Sequence, residues 1–165
     1  MVQARLGIAM ENSGKLVTQV RREARAIAER QGLAYIIVDG PPGIGCPVIS
    51  SMSGVDLALI VTEPTVSGTH DMQRVIELAR HFGVKVAVCT NKYDLDAAGA
   101  ERIEEYCRGE DVEVAGRIPF DAGVVGAMVR QVPVVAGSDE DTGCGEAAQA
   151  IRRLWANVES RLADG

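Results

Sequence analysis

The stretch Ala34-Tyr-Ile-Ile-Val-Asp39-Gly-Pro-Pro-Gly43-Ile-Gly45 is the part of this chain that decides the fold. An apolar run rich in β-branched residues ends at a carboxylate, and a turn of glycine and proline follows at once. This pattern predicts a buried parallel strand over 34–39. Such a strand carries Asp39 to its carboxyl end, which is where open α/β sheets hold their ligands.

The turn after this strand has the features of a phosphate site. Mg²⁺ prefers oxygen ligands and keeps part of its water shell, so Asp39 can hold the ion through water. Gly40 and Gly43 let backbone N–H groups approach a phosphate, and the two prolines, Pro42 among them, stiffen the turn. A simpler alternative is a strand-to-helix turn with Asp39 as a cap. That alternative leaves the five residues Asp-Gly-Pro-Pro-Gly unexplained, so we favour the phosphate site.

Composition limits the class of protein. A chain of 165 residues suits one domain over 1–165 that buries about 70% of its unfolded surface. Hydrophobic residues make up 47% and charged residues 24%, which is typical of globular proteins. With only 4% aromatic residues and a net charge of −6, neither base stacking nor a global positive field favours binding to nucleic acid.

The compartment is predicted from three further features. The sequence has no apolar stretch of about 18 residues that could span a membrane, and it begins without the apolar region of a signal peptide. Its cysteines, Cys46, Cys89, Cys107 and Cys144, are far apart and lack metal-ligand spacing. Free thiols of this kind indicate the reducing cytoplasm.

Hydrophobic periodicity predicts helices that alternate with strands. The helices are expected over 14–31, 44–53, 69–82, 96–108, 121–130 and 145–163, and the strands over 34–39, 56–62, 84–90 and 112–118. Ser67 is expected to cap the third helix, and 136–145 to form a surface loop. The alternation predicts an α/β fold with a doubly wound, mostly parallel sheet and helices on both faces.

Asn91-Lys92-Tyr93-Asp94 follows the third predicted strand directly. At the carboxyl end of the predicted sheet, Asn91 can hydrogen-bond the edge of a purine, and the aliphatic part of Lys92 can lie against the purine ring. The alternative is a plain turn, because Asn and Asp favour turns on their own. The pattern is similar to the Asn-Lys-x-Asp of GTPases, but the acidic motif at Asp39 differs from theirs, so GTP is the second choice.

Two further loops follow predicted strands at the same carboxyl end of the sheet. Arg117-Ile-Pro119-Phe-Asp121 is interpreted either as a turn with Asp121 capping the next helix or as a loop that closes over a base. Glu63-Pro-Thr-Val-Ser67 leads to a helix N-terminus, which is either an anion site or an ordinary capped loop.

The segment Gly7 to Lys15 ends in Ser-Gly-Lys but is not a P-loop. Six residues instead of four separate Gly7 from Gly14, Leu16 replaces the Ser or Thr, and no strand precedes it. The last predicted helix is amphipathic, and its balanced charges favour packing on the domain over binding to anionic lipid.

Together these motifs resemble the MinD/ParA/Mrp group of deviant P-loop ATPases, the CobQ/CobB/MinD/ParA nucleotide-binding domain, and in particular its ferredoxin-containing MinD-like branch. The similar stretches follow the family order and span residues 1–17, 39–48, 62–71, 91–94 and 116–121.

The resemblance implies a set of roles. Asp39 would hold Mg²⁺ and its water near the γ-phosphate, and the backbone of Gly40 to Gly43 would sense that phosphate. Asn91 would face the adenine, and the loop Pro119–Asp121 would close over the base. ATP and Mg²⁺ are the implied cofactors, and a homodimer that sandwiches ATP is the implied assembly. Family members position cell-division or partition machinery, or handle iron–sulfur clusters and cofactor assembly.

The sequence departs from the family pattern at the Lys-Gly-Gly-x-x-Gly-Lys-Thr loop, which is absent together with the first strand and the ferredoxin insertion. The chain therefore looks like the C-terminal part of a longer protein. We expect it to be no competent ATPase alone and to lack an iron–sulfur cluster of its own. We also expect it to rearrange, to pair with another copy, or to need an N-terminal P-loop segment or partner protein. The alternatives are a non-catalytic binding or scaffold module of the same fold, and an ATP-dependent synthetase of the cobyrinic acid a,c-diamide synthase type.

Overall fold

The computed structural model describes residues 1–3, 13–136 and 145–163. Its helices are α1 (Ser13–Gln31), α2 (Cys46–Met52), α3 (Val66–His81), α4 (Ala97–Gly109), α5 (Gly123–Val129) and α6 (Gly145–Ala163), and its strands are β1 (Leu57–Thr62), β2 (Lys85–Asn91) and β3 (Glu113–Ile118). A short 3-10 helix occupies Tyr93–Leu95. Most of the predicted loop 136–145, including Cys144, lies outside the described residues.

The described strands form one parallel sheet in the order β1-β2-β3. Leu57 to Thr62 pair in register with Lys85 to Thr90, and the ladder from β2 to β3 shifts between Val88 and Cys89. Parallel neighbours need crossover connections, and α3 and α4 supply them. The prediction of an α/β fold with a parallel sheet and helices is confirmed.

The chain divides into two compact units. One unit contains Met1–Val55 with Arg74–Val84, and the other contains Asp56–Gln73 with Lys85–Gly165. The whole sheet belongs to the second unit, whereas the turn at Asp39 belongs to the first.

In the first unit α1 is fixed to the end of α2. The Arg21 guanidinium donates to the carbonyl oxygen of Ser50 at 2.8 Å and to that of Ser53. These carbonyls belong to the last turn of α2 and to the residue after it, and carbonyl groups at a helix C-terminus lack hydrogen-bond partners inside the helix. The guanidinium donates hydrogen bonds to them, and its positive charge interacts favourably with the helix dipole.

In the second unit α6 covers the sheet. Its side chains Leu154 and Val158 pack on a buried cluster of small strand residues that comprises Ala87, Cys89 and Ala115. The Asn157 amide of the same helix donates to the Ala115 carbonyl at 2.8 Å. The amphipathic last helix therefore packs on the domain, as predicted.

The predicted strand over 34–39 is wrong. Residues 35–41 form neither helix nor strand, and Ile37 remains 79% exposed. An apolar run becomes a strand only where a neighbour pairs with its backbone, and β1 offers its second edge to no strand among the described residues. The sequence pattern identifies the apolar run correctly, but it does not show whether a neighbouring strand is available to pair with that run.

The cap of α3 also differs from the prediction. The helix begins at Val66, three residues earlier than expected, and the Thr65 hydroxyl instead of Ser67 accepts from the backbone N–H of Gly68 at 3.0 Å. Both residue types cap helices well, so sequence alone could not choose between them.

The cysteines that the structure describes are free thiols. Cys89 and Cys107 are buried, and Cys46 is exposed. Burial raises the pKa of the Cys89 thiol to about 11. Burial and the nearby Glu104 carboxylate raise the pKa of the Cys107 thiol to about 11. Both buried thiols are therefore neutral and unreactive near neutral pH.

Candidate functional site

The candidate site lies at the carboxyl end of the sheet. The loops that follow β1, β2 and β3 all leave the sheet at this edge, because parallel strands end on the same side. We call the segments 63–65, 91–96 and 117–122 the carboxyl-end loops; they include the last residue of β2 and the last two residues of β3. They contain four of the predicted site residues, which are Asn91, Lys92, Pro119 and Asp121.

The first two carboxyl-end loops are joined by an ion pair. The Lys92 ammonium lies 2.7 Å from a Glu63 carboxylate oxygen, and both side chains are partly exposed. Lys92 has the left-handed backbone angles φ 53° and ψ 40°, which non-glycine residues seldom adopt. This ion pair keeps the aliphatic part of the Lys92 side chain along the loop. The Lys92 ammonium therefore already has a partner in the same chain.

The second and third carboxyl-end loops are joined by two contacts. The Asp94 carboxylate accepts from the backbone N–H of Phe120 at 2.7 Å. The Arg117 guanidinium lies 5.6 Å from the centre of the Tyr93 ring, a cation–π distance. The bond from Arg117 to the Glu104 carboxylate, and secondarily the charge of that carboxylate, raise the pKa of the guanidinium.

Asp121 serves as a backbone cap. One of its carboxylate oxygens accepts from the N–H of Gly123 at 2.8 Å, and the other faces the N–H of Ala147 at 3.4 Å. Asp121 lies one residue before Ala122, the N-cap of α5, and its carboxylate contacts the first turns of α5 and α6. The capping alternative describes its role in this structure, and contact of Asp121 with a base stays a prediction.

Two glycines permit the close approach of these loops. A Cβ at Gly68 would lie 2.5 Å from the Glu63 carbonyl oxygen, and a Cβ at Gly99 would lie 2.8 Å from the Pro64 carbonyl oxygen. Real Cβ atoms do not come this close to backbone atoms. The start of α3 and the start of α4 can therefore approach the loop after β1 only without a side chain.

The end of β2 carries polar side chains that can meet a ligand. Asn91, the last residue of the strand, is half-buried. Its neighbour Thr90 is fully buried, and within the described part of the chain the Thr90 hydroxyl has no hydrogen-bond partner. A buried polar atom without a partner is costly. Because Thr90 is fully buried, Asn91 is the one of these two side chains that a polar ligand can reach.

The turn at Asp39 belongs to the other unit. Asp39 and Gly40 are exposed, and Gly43 has a φ of +89°, a conformation that favours glycine. Pro42 and Gly43 lead to α2, whose first turn contains a proline. Among residues 1–3, 13–136 and 145–163, no three His, Cys, Asp or Glu side chains cluster as metal ligands. Mg²⁺ accepts a coordination in which most of its ligands are water and phosphate oxygens, and binding of Mg²⁺ at Asp39 stays a prediction.

Sequence reasoning missed the contacts that join the carboxyl-end loops. The sequence places Glu63 in a loop that is either an anion site or a capped loop, and Asp94 in a motif that either contacts a purine or forms a plain turn, and it pairs neither residue with another loop. The signal that could have linked them is their common position just after neighbouring parallel strands. The contact of Asp94 with Phe120 spans 26 residues, and no local pattern encodes such a distance.

Comparison with known proteins identifies the class. Residues 9–158 match the model of the ParA family described as NUBPL iron-transfer P-loop NTPase. The chain therefore belongs to the ParA family of P-loop NTPases, the MinD/ParA-type group that the motifs resemble. Asp39, Asn91 and the Pro119–Asp121 loop all fall within the matched span.

Individual relatives agree with this class. An uncharacterized protein of Methanocaldococcus jannaschii is 37% identical over 92 residues, which are 56% of this chain and 32% of that protein. An iron-sulfur cluster carrier protein of Pyrococcus horikoshii is 26% identical over 163 residues, 90% of this chain and 53% of that protein. The solved MinD cell division protein of Aquifex aeolicus has a TM-score of 0.69 at 28% identity, covering 89% of this chain and 61% of that chain.

The chain thus spans about half the length, or less, of these curated relatives. Among the residues that the structure describes, no helix is long and apolar enough to cross a membrane.

Proposed function

We propose that this chain supplies the base-binding side of a Mg-ATP site in a nucleotide-dependent switch protein. The observation that supports this most is the half-buried Asn91 at the carboxyl end of β2, between loops held by the pairs Lys92–Glu63 and Asp94–Phe120. Ligand-binding sites are usually preformed, and a few polar groups in them fix the orientation of the ligand.

The base would be recognised by directed hydrogen bonds. A side-chain amide both donates and accepts, so Asn91 can match the amino group and a ring nitrogen of adenine. The aliphatic stem of Lys92 would lie along one side of the ring, where its ion pair with Glu63 holds it. Pro119, which is half-buried, would bound the site from the third loop.

The phosphates would be bound by the turn Asp39–Gly43 together with a loop that this sequence lacks. Asp39 would orient Mg²⁺ through water, and the backbone N–H groups from Gly40 to Gly43 would approach the phosphate. The bound ion would neutralise charge on the phosphate oxygens. Nothing in the sequence replaces the P-loop lysine, so we assign residues 1–165 to the C-terminal portion of one nucleotide-binding domain. An N-terminal segment or a partner protein would complete it.

The wider role is proposed by analogy with the family. One relative is described as an iron-sulfur cluster carrier and another as a cell division protein. We propose for this chain a role in cofactor assembly or in positioning cell-division machinery. It would act in the cytoplasm as a homodimer that binds ATP between its two copies. Within the described residues, no group of three or more His, Cys, Asp or Glu side chains could hold a metal ion.

A second candidate is a non-catalytic binding module. The observation that favours it is that Lys92, Asp94 and Asp121 already have partners within the chain. A site whose charges are satisfied internally needs no ligand to be stable. This candidate predicts no response to nucleotide.

Calorimetry separates the two candidates. Mg-ATP is titrated into the 165-residue chain, with Mg-GTP as the competitor. We expect saturable heat with Mg-ATP and weaker binding of Mg-GTP, and Asn91→Ala should weaken ATP binding about tenfold through lost hydrogen bonds. The control is Asp56→Ala, which removes an exposed carboxylate at the opposite end of β1 and should change nothing. Absence of heat with either nucleotide would contradict the proposal and favour the binding module.

A further inference from the structure

Asp94 is the last residue of the motif that is similar to the Asn-Lys-x-Asp of GTPases. An acidic side chain suits guanine, because the two oxygens of one carboxylate can accept from the ring N1–H and from the 2-amino group of that base. Adenine has no donor at either place, since its N1 is an acceptor and its C2 carries only hydrogen. Selection of guanine by Asp94 therefore requires that both carboxylate oxygens face the base.

One of the two oxygens already has a partner within the chain. The Oδ1 atom of Asp94 accepts from the backbone N–H of Phe120 at 2.7 Å, and this bond joins the second carboxyl-end loop to the third. The distance is at the short end of the range for N–H···O bonds, and the negative charge on the acceptor strengthens the bond. With the Phe120 backbone against Oδ1, the carboxylate cannot present both oxygens to the edge of guanine.

The loop that carries Asp94 is fixed on both sides. Before Asp94, the Lys92 ammonium pairs with the Glu63 carboxylate at 2.7 Å. After it, the Asp96 carboxylate accepts from the backbone N–H of Gly99 at 2.8 Å and caps α4. These contacts limit the freedom of the short 3-10 helix between them. The folded loops therefore keep the Asp94 carboxylate directed at the third loop.

We infer that Asp94 is a positioning residue that selects against guanine. It holds the third carboxyl-end loop at Phe120, and the same bond makes unavailable the pair of acceptors that guanine would need. Recognition of the base then depends on Asn91, whose amide can match the amino group and a ring nitrogen of adenine. This inference rests on the proposed function, because it explains the base preference of the same site.

The first measurement is hydrogen exchange of the Phe120 amide, followed by NMR without nucleotide. Asp94→Ala should raise its exchange rate at least about tenfold, because the acceptor is removed. Asp94→Asn keeps a side-chain oxygen that can accept from Phe120, and its rate should stay within about threefold of the wild type. The internal reference is the Gly123 amide, which donates to Asp121 and should not change. The matched control is Asp56→Ala, which also removes one exposed carboxylate.

The second measurement is the base preference, with Mg-ATP and Mg-GTP titrated into each variant by calorimetry. Asp94→Ala releases the third loop, so it should weaken Mg-ATP binding about fivefold and reduce the preference for Mg-ATP over Mg-GTP at least about threefold. Asp94→Asn should retain both wild-type values. A carboxylate that recognises guanine predicts a different pattern, in which both variants lose Mg-GTP binding alone.

The outcomes separate this inference from the proposed function. Equal exchange of the Phe120 amide in the wild type and in Asp94→Ala, or fast exchange in Asp94→Asn, would overturn the role of Asp94 in holding the loop. Loss of Mg-GTP binding alone in both variants would overturn the selection against guanine. The expected exchange rates in a chain that binds neither nucleotide would refute the base site itself, and the base preference with it.

Discussion

Replacing Gly99 tests whether the loops at the candidate site depend on close backbone approach. Gly99 is buried near the start of α4, and its N–H donates to the Asp96 carboxylate at 2.8 Å. In Gly99→Ala the new methyl carbon would meet that carboxylate at 2.5 Å and the Pro64 carbonyl oxygen at 2.8 Å. Either α4 moves away from the loop after β1, or the cap is lost.

The cost of this change can be estimated term by term. Loss of the cap costs about 1 kcal/mol. Overpacking against a backbone carbonyl costs about 1–3 kcal/mol. The better helix propensity of alanine returns up to about 1 kcal/mol. The free energy of unfolding of Gly99→Ala should therefore fall by roughly 1–4 kcal/mol, which at about 2–4 °C per kcal/mol lowers Tm by roughly 2–16 °C for a chain of this size.

The assay is urea and thermal unfolding followed by circular dichroism. The matched control is Gly109→Ala in the same helix, where a Cβ would meet nothing within 4 Å. That variant should equal or exceed the wild-type stability. Equal stabilities of Gly99→Ala and Gly109→Ala would refute the argument from close approach.

Four further predictions concern individual side chains and the buried thiols. Thr90→Val removes a buried hydroxyl that has no partner among the described residues, and should raise the free energy of unfolding by about 1 kcal/mol in urea titration. Lys92→Gly relieves the left-handed backbone and should be about 1 kcal/mol more stable than Lys92→Ala in the same assay; equal values would contradict this. Alkylation followed by mass spectrometry should modify Cys46 well before Cys89 and Cys107 at pH 8. Because folding raises the pKa of those two thiols from 9.0 to about 11, stability should fall as pH rises through that window.

Local patterns predicted most of the elements. The helix α6 appears where apolar residues recur at helical spacing, and β1, β2 and β3 follow the apolar runs within one or two residues. Periodicity succeeds here because each element buries its apolar face within the described structure. The run over 34–39 has an equally strong pattern but remains outside the sheet, because a strand also needs a neighbour, which periodicity does not report.

The candidate site was predictable in position but not in detail. Neighbouring parallel strands that end in polar motifs place Asn91 and Asp121 at one edge of the sheet. The partners of those motifs depend on tertiary contacts. The pairing of Lys92 with Glu63, and the use of both Asp121 oxygens by backbone N–H groups, arise only when distant loops meet.

The most direct test of the proposed base-binding site is a map of where Mg-ATP acts on the chain. Amide chemical shifts are followed by NMR during a titration of the 165-residue protein. We expect saturable shifts at the carboxyl end of the sheet, at Asn91, Lys92 and Phe120. We expect none at the amino end, at Asp56 and Lys85. Shifts at the amino end alone, or none anywhere at saturating Mg-ATP, would contradict the proposed site.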